Sequence, residues 1–423
     1  MLRIQLTERL AVKFQALANN EELPSLARLH EKDFTRNRFL TARCIFLLIM
    51  RGIRISLQLA IDDFMEDFMS IRDSVSKQAL SKARVKFDPD VIRELFRGSA
   101  EEFNKCTDLK LWKDTFRVYA IDGSDVALEN EPELRDYFGC SGSKKGATTG
   151  MLSICHDVEN NYMMDASFSP YATSERDAAR DHIDAIMSLP TNVGTHNLFL
   201  MDRGYPSAEL MAELIDKNQF FLMRVRRKFN LDFDAVGKDE EVSLLINNKT
   251  YRIRVIKIIL STGEVETLAT NLPPDVLSYE EAGELYFCRW KIEVKYDSIK
   301  NKLQLENFSG RTVVTVMQDF WATMYLANLV SSVAFQTNDA IEKKNEGKTN
   351  KYQQTTNESI LIHKLRRNLY RCLLEPDEGK RNILFSELVE DIARHPQQIK
   401  PGRRAKRKKP RKKKFCDRRK ACL

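Results

Sequence analysis

Between residues 115 and 225 the hydrophobic pattern switches repeatedly between strand and helix period, and that order restricts the fold more than any other feature. Strand-like runs occupy 117–122, 149–157 and 161–169. A helical stretch follows Ser174, a residue suited to accept the free amides of a first turn, and extends to Met187. A strand at 197–202, a helix near 207–217 and a strand at 220–225 complete the series. Strands alternating with helices of this length build an α/β sheet, because each crossover packs its helix on a face of the sheet.

Two of these strands deliver an aspartate at the carboxyl end. Arg117-Val-Tyr-Ala-Ile-Asp122 runs into a glycine turn, and Asn197-Leu-Phe-Leu-Met-Asp202 ends likewise. In open α/β sheets ligands gather at those ends. Asp125 competes with Asp122, but the strand end and the following glycine favour Asp122. Solvated turns explain Asp157 and Asp165. Glu175 stands in a first helical turn, where the macrodipole already favours an acid, so a supporting site role is the lesser reading.

A third acid comes from Tyr286-Phe-Cys-Arg289-Trp-Lys-Ile-Glu293-Val-Lys-Tyr-Asp-Ser-Ile-Lys300. As one helix, this segment places Tyr286, Arg289, Glu293 and Lys300 within about 60° of one another. A solvated charged face is the plain alternative. Asp122, Asp202 and Glu293 together, with no His or Cys partner, suit two Mg²⁺ or Mn²⁺ ions rather than zinc. Such ions clamp the attacking and leaving oxygens of an in-line displacement at phosphorus. Arg289, one turn from Glu293, can pair with it or fork onto a phosphate. Lys300 lies about 10 Å further along, within reach of a DNA backbone. Tyr286 can hold a phosphate, stack on a base, or simply fill core; Trp290 is expected in the core.

These residues resemble the DDE transposases of the insertion-sequence-four family, whose signature is Tyr, two residues, Arg, three residues, Glu, six residues, Lys. Tyr286, Arg289, Glu293 and Lys300 match every gap. Asp122-Gly123-Ser124 is similar to the family's first-aspartate segment, Asp202-Arg203-Gly204-Tyr205 to its second, and Thr270-Asn271-Leu272 also fits. The strong likeness covers about residues 115 to 312, with a weaker echo near 70 to 95. It implies a ribonuclease-H-like catalytic domain over 115–335 with a β-rich insertion at about 227–275, the fold that the strand and helix order also suggests. It further implies cleavage at the inverted-repeat ends of a mobile element, transfer of the 3′-hydroxyl strand to target DNA, and a homodimeric complex holding both ends. Asp122, Asp202 and Glu293 are then the catalytic metal ligands, and Tyr286, Arg289, Lys300 and Arg203 contact DNA. Members that excise through a hairpin use an insertion aromatic to stack on a flipped base. No tryptophan lies between Asp202 and Tyr286, leaving Phe229, Phe233 and Tyr251.

Residues 1–110 read as a helical DNA-binding region. The helix behind Ser76 puts Ala79, Leu80 and Ala83 on one side and Lys77, Gln78, Ser81 and Lys82 on the other. Lys77 and Lys82 on such a helix suit DNA recognition, and a solvated face fits equally. In the insertion, basic and apolar residues alternate over 251–257, a half-buried strand with a cationic face. An apolar helix is expected at 320–330 and a flexible polar linker at 336–358, within a segment of linker and helices at 336–399.

The longest apolar run, Cys44–Met50, is too short to span a bilayer, and the charged N-terminus argues against a signal peptide. A cytoplasmic protein with no membrane partner is expected. The eight cysteines are scattered with no Cys-x-x-Cys pair, so they read as free thiols, and His156 and His182 as satisfied polar residues. The net charge of +8 hides an asymmetry: from Lys400 onward 14 Lys and Arg face one acid, Asp417, giving +13 and leaving 8 − 13 = −5 for the rest. The 400–423 tail reads as a disordered nucleic-acid-binding arm or a solubilising tail. Two further functions stay open, a catalytically silent DNA-binding regulator and a stand-alone ribonuclease-H-like nuclease.

Overall fold

A computed structural model of the chain describes residues 2–36, 39–52, 56–69, 75–142, 146–190, 194–260 and 263–400. The basic tail beyond Lys400 lies outside these residues. Two compact units emerge, one of Leu109–Asp125 and Met151–Asp297, the other of Met1–Asp108, Val126–Gly150 and Ser298–Leu423.

The first unit holds most of an eight-stranded sheet: β1 (Phe116–Ala127), β2 (Thr149–Asp157), β3 (Tyr162–Pro170), β4 (His196–Met201), β5 (Phe220–Val225), β6 (Asp239–Ile246), β7 (Lys249–Ile259) and β8 (Val265–Thr270). Their order is β3-β2-β1-β4-β5-β8-β7-β6. β4 pairs parallel with both β1 and β5. Crossover helices α1 (Glu175–Ser188) and α2 (Ala208–Asp216) start on side-chain caps, Ser174 accepting from the Asp177 amide and Ser207 from the Leu210 amide. The fold is ribonuclease-H-like, as the order of periods suggested.

The β-rich insertion is continuous with this sheet. β8 adds antiparallel to β5, β7 to β8, and β6 to β7. One detail of its expected cationic face differs. Arg254 is 6 % exposed, with Nε on Asp239 Oδ1 at 2.8 Å and Nη2 on Asp239 Oδ2 at 2.6 Å. An acid across the strand pair neutralises it, so it can be buried.

The signature segment is not one continuous helix. After α3 (Tyr279–Phe287), opened by a Ser278/Glu281 capping box, the backbone tightens. Arg289 N bonds Tyr286 O, Lys291 N bonds Cys288 O and Ile292 N bonds Arg289 O, all three residues back. α4 (Trp290–Asp297) follows, and Ser298–Lys302 then loosens into a π-helical turn, with Leu303 N reaching Ser298 O. The uniform rotation per residue assumed from sequence therefore does not hold. Trp290, expected in the core, is 41 % exposed.

The second unit is mainly helical. Helices Leu6–Ala18, Ala42–Arg51, Leu57–Met69, Lys77–Arg84 and Asp90–Asn104 precede the sheet in sequence, and Val313–Asn345, Glu358–Leu373 and Glu378–Ala393 follow it. Apolar residues at 320–330 make the middle of Val313–Asn345 buried nearly all round, as befits a central helix. This helix continues through 336–345, where a flexible linker was expected. Buried Thr337 and Ile341 hold those turns, and Asn338 Oδ1 accepts from the Thr356 amide at 2.9 Å. In Lys77–Arg84 the buried positions are Leu80 and Arg84 rather than Ala79, because Arg84 reaches inward to Asp319 Oδ1 at 2.6 Å.

Candidate active site

The β1–β4 register alone brings the two aspartates together. Phe116 pairs with His196 and the pairing runs in step to Ile121 opposite Met201. Asp122 and Asp202 are the next residues on adjacent parallel strands, whose backbones lie about 4.8 Å apart, and they share the same pleat parity. β1 does not end at Asp122, as the glycine suggested, but runs on to Ala127.

Asp122 is gripped through its backbone. Its carbonyl accepts from the Tyr296 hydroxyl and from Ser153 Oγ at 3.4 Å. Ser153 Oγ lies 3.0 Å from His182 Nε2, and His182 Nδ1 lies 2.7 Å from Asp165 Oδ2. His182 is thus a satisfied buried histidine, whose partners include a residue holding the first aspartate. The Asp122 side chain takes the Gly123 amide at 3.0 Å.

Arg289 and Tyr286 tie the signature segment to both aspartates. Arg289 Nη1 lies 3.5 Å from Asp122 Oδ2, and Nη2 lies 3.3 Å from Glu293 Oε1. The Tyr286 hydroxyl donates to Asp202 Oδ1 at 3.3 Å. Both were expected to face DNA, yet they are 5 % and 3 % exposed and their polar atoms are on carboxylates. The Arg289 Nε has no acceptor among the described residues.

Electrostatics follow from this crowding. Burial pushes the Asp122 carboxyl up to about 6, more than the Arg289 charge and the Gly123 amide can pull it down, and Asp202 and Glu175 add to the rise. Burial also raises Glu175, helped by Asp125 and Asp202, and raises Glu266 despite Arg224 at 3.2 Å. The Arg289 guanidinium stays charged against its own burial because Tyr286, Asp122, Asp202 and Glu293 surround it. Among the described residues no three His, Cys, Asp or Glu side chains form a ready-made metal cage. Instead the Arg289 guanidinium bridges two of the acids, Asp122 and Glu293.

The remaining expected contacts are dispersed. Arg203 is exposed, its carbonyl taking Arg226 Nε at 2.9 Å. Lys300 is partly exposed in the π-helical turn, and Lys77 and Lys82 are exposed on their helix; all three belong to the helical unit. Of the insertion aromatics, Phe233 and Tyr251 are buried, whereas Phe229 keeps a partly exposed ring. Sequence reasoning passed over Tyr205, Tyr296 and the Asp165–His182–Ser153 chain. Tyr205 belongs to the Asp202-Arg203-Gly204-Tyr205 segment, and a tyrosine three residues after the second aspartate was the available signal.

The sequence profile of the transposase DDE domain matches residues 113–329. Over 279 residues the chain is 23 % identical to the transposase InsG for insertion sequence element IS4 of Escherichia coli K12, covering 61 % of each protein. It is 24 % identical over 147 residues to the putative transposase InsZ of the same organism, covering 34 % of this chain and 47 % of that one. The chain thus spans less than two thirds of the length of these relatives. A solved piggyBac transposase synaptic complex with hairpin DNA overlays 95 % of this chain and 86 % of its own, with a TM-score of 0.46 and 10 % identity, too loose a likeness to build on. With the profile covering half the chain and taking in Asp122, Asp202 and the signature segment, the protein belongs to the transposase DDE domain family.

Proposed function

We propose that this protein is a metal-dependent transposase that cuts DNA at the inverted-repeat ends of its own element and joins the freed 3′-hydroxyl to target DNA. The observation that carries this reading is Arg289 bridging Asp122 and Glu293 while Tyr286 holds Asp202. Residues far apart in sequence converge there into an acidic, oxygen-only donor set that is short of positive charge. Such a set fits Mg²⁺ or Mn²⁺, and the guanidinium interposed between Asp122 and Glu293 marks a place where positive charge is favoured. When bound, two such ions supply Lewis acidity to the attacking and leaving oxygens.

The chain's own residues do the rest. Asp122, Asp202 and Glu293 would hold the ions, Asp122 and Glu293 giving up the Arg289 guanidinium to do so. Tyr286 and Arg289 orient the carboxylates, and Arg289, once released, is free to fork onto a phosphate oxygen. Arg203, Lys300, Lys77 and Lys82 contact the DNA backbone. The two ends are handled by a homodimer, working in the cytoplasm on the nucleoid. Among the described residues no helix is long and apolar enough to cross a membrane.

The test is a supercoiled plasmid carrying the element's ends, incubated with Mg²⁺ and the wild-type or Glu293→Gln protein. Nicked and joined products from the wild type alone are expected. End-binding without cleavage by the wild type selects the silent regulator, and cleavage without joining selects the stand-alone nuclease.

A further inference from the structure

Glu175 opens α1, and its carboxylate lies against Gly123, next to Asp122 in β1, and against Gly204 in the turn after Asp202. A Cβ placed on Gly123 would stand 3.2 Å from Glu175 Oε1, and one on Gly204 would stand 3.1 Å from Oε2. Neither glycine has a positive φ, so backbone conformation does not demand them. At both positions the atom nearest an added Cβ is an oxygen of this carboxylate. No hydrogen bond or ion pair is found for it among the described residues, although it is exposed and shares its surroundings with Asp122, Asp125 and Asp202. An acid beside other acids, without a cation, is an unfavourable arrangement for a structural role alone.

Tyr205 provides an independent sign of a missing ligand. It is 1 % exposed, and its hydroxyl has no hydrogen-bond partner among the described residues. Burial pushes its hydroxyl pKa up, and the negative charges of Asp122, Glu175 and Asp202 add to the rise. A buried phenol left unpaired costs about 1–3 kcal/mol, so this hydroxyl calls for a polar partner.

We propose that Glu175 is a fourth carboxylate of the cation site, one that would hold a divalent ion together with Asp122 and Asp202. This rests on the metal-dependent reading above and assigns a ligand that the three-acid set lacks. A side chain at Gly123 or Gly204 would press on the Glu175 carboxylate.

Mn²⁺ binding to the full-length protein, followed by electron paramagnetic resonance of the free ion, separates the two readings without any turnover. Wild type, Glu175→Gln, Glu175→Asp, Gly204→Ala, Asp202→Asn and a control on the same helix, Asp181→Asn, are titrated, with thermal melts reporting folding. Glu175→Gln is expected to weaken Mn²⁺ binding on the order of tenfold or more, with Glu175→Asp in between. Gly204→Ala, which presses on the carboxylate without touching its charge, weakens binding as well, and Asp181→Asn binds as wild type. If Glu175→Gln fails to fold, Glu175→Asp and Gly204→Ala carry the test. Wild-type binding by the folded Glu175 and Gly204 variants, alongside loss in Asp202→Asn, overturns the role of Glu175 and leaves the proposed function standing. Absence of Mn²⁺ binding by the wild type overturns both.

Discussion

Asp122 holds its proton to about pH 6, against an ordinary value of 3.8. A carboxyl raised in the fold destabilises it as pH climbs from the ordinary value through the raised one, here on the order of 3 kcal/mol at about 1.36 kcal/mol per unit. A divalent ion beside the carboxylate removes that cost. Mg²⁺ should therefore raise the melting temperature more at pH 8 than at pH 5, and Asp122→Asn should erase the difference. Equal Mg²⁺ effects at both pH values would show that Asp122 does not meet the ion. Tyr286→Phe keeps the ring and removes only the hydroxyl on Asp202. Losing such a second partner of a metal ligand should weaken Mn²⁺ binding about tenfold with little change in melting temperature, as read by the same titration.

Among the elements, the contact between Lys77–Arg84 and Val313–Asn345 is the most exacting. Arg84 and Asp319 are each 4 % exposed at the side chain and 2.6 Å apart, while Gln318 accepts from Arg84 Nε at 2.7 Å. Arg84→Met leaves a buried carboxylate without its cation and should cost about 3–5 kcal/mol in urea denaturation. Adding Asp319→Leu should recover much of that loss. Strands β2 and β4 were legible in sequence because buried strands read as continuous apolar runs, and the two aspartates were legible because they end such runs. The break at Cys288–Arg289 was not, since neither glycine nor proline marks it and local amide bonds alone tighten the turn. Residues 336–345 look like a linker because their faces are polar, and only the tertiary partners of Thr337, Asn338 and Ile341 make them helix. Glu175 was legible as an acid in a first turn; that its oxygens would meet Gly123 and Gly204 depends on chain packing across fifty residues.

For the whole molecule, charge separates the tail from the body. Removing residues 401–423 deletes thirteen Lys and Arg and one Asp, leaving a body of 8 − 12 = −4. A chain ending at Lys400 should bind non-specific DNA more weakly and with a shallower dependence on salt, because fewer counterions are released. Unchanged affinity and slope between about 50 and 200 mM salt would make the tail a solubilising extension. The central claim is that Asp122, Asp202 and Glu293 act as one unit at the cutting step. The measurement that tests it most directly is the Mg²⁺-dependent cleavage rate of a DNA end by Asp122→Asn, Asp202→Asn, Glu293→Gln and the triple variant, with Asp125→Asn as control and end-binding measured in parallel. Each single change should reduce cleavage about as far as all three together, on the order of a hundredfold or more, while DNA binding and the Asp125 control stay near wild type. Cleavage persisting in the triple variant, or lost in Asp125→Asn but kept in Asp122→Asn, would contradict the account.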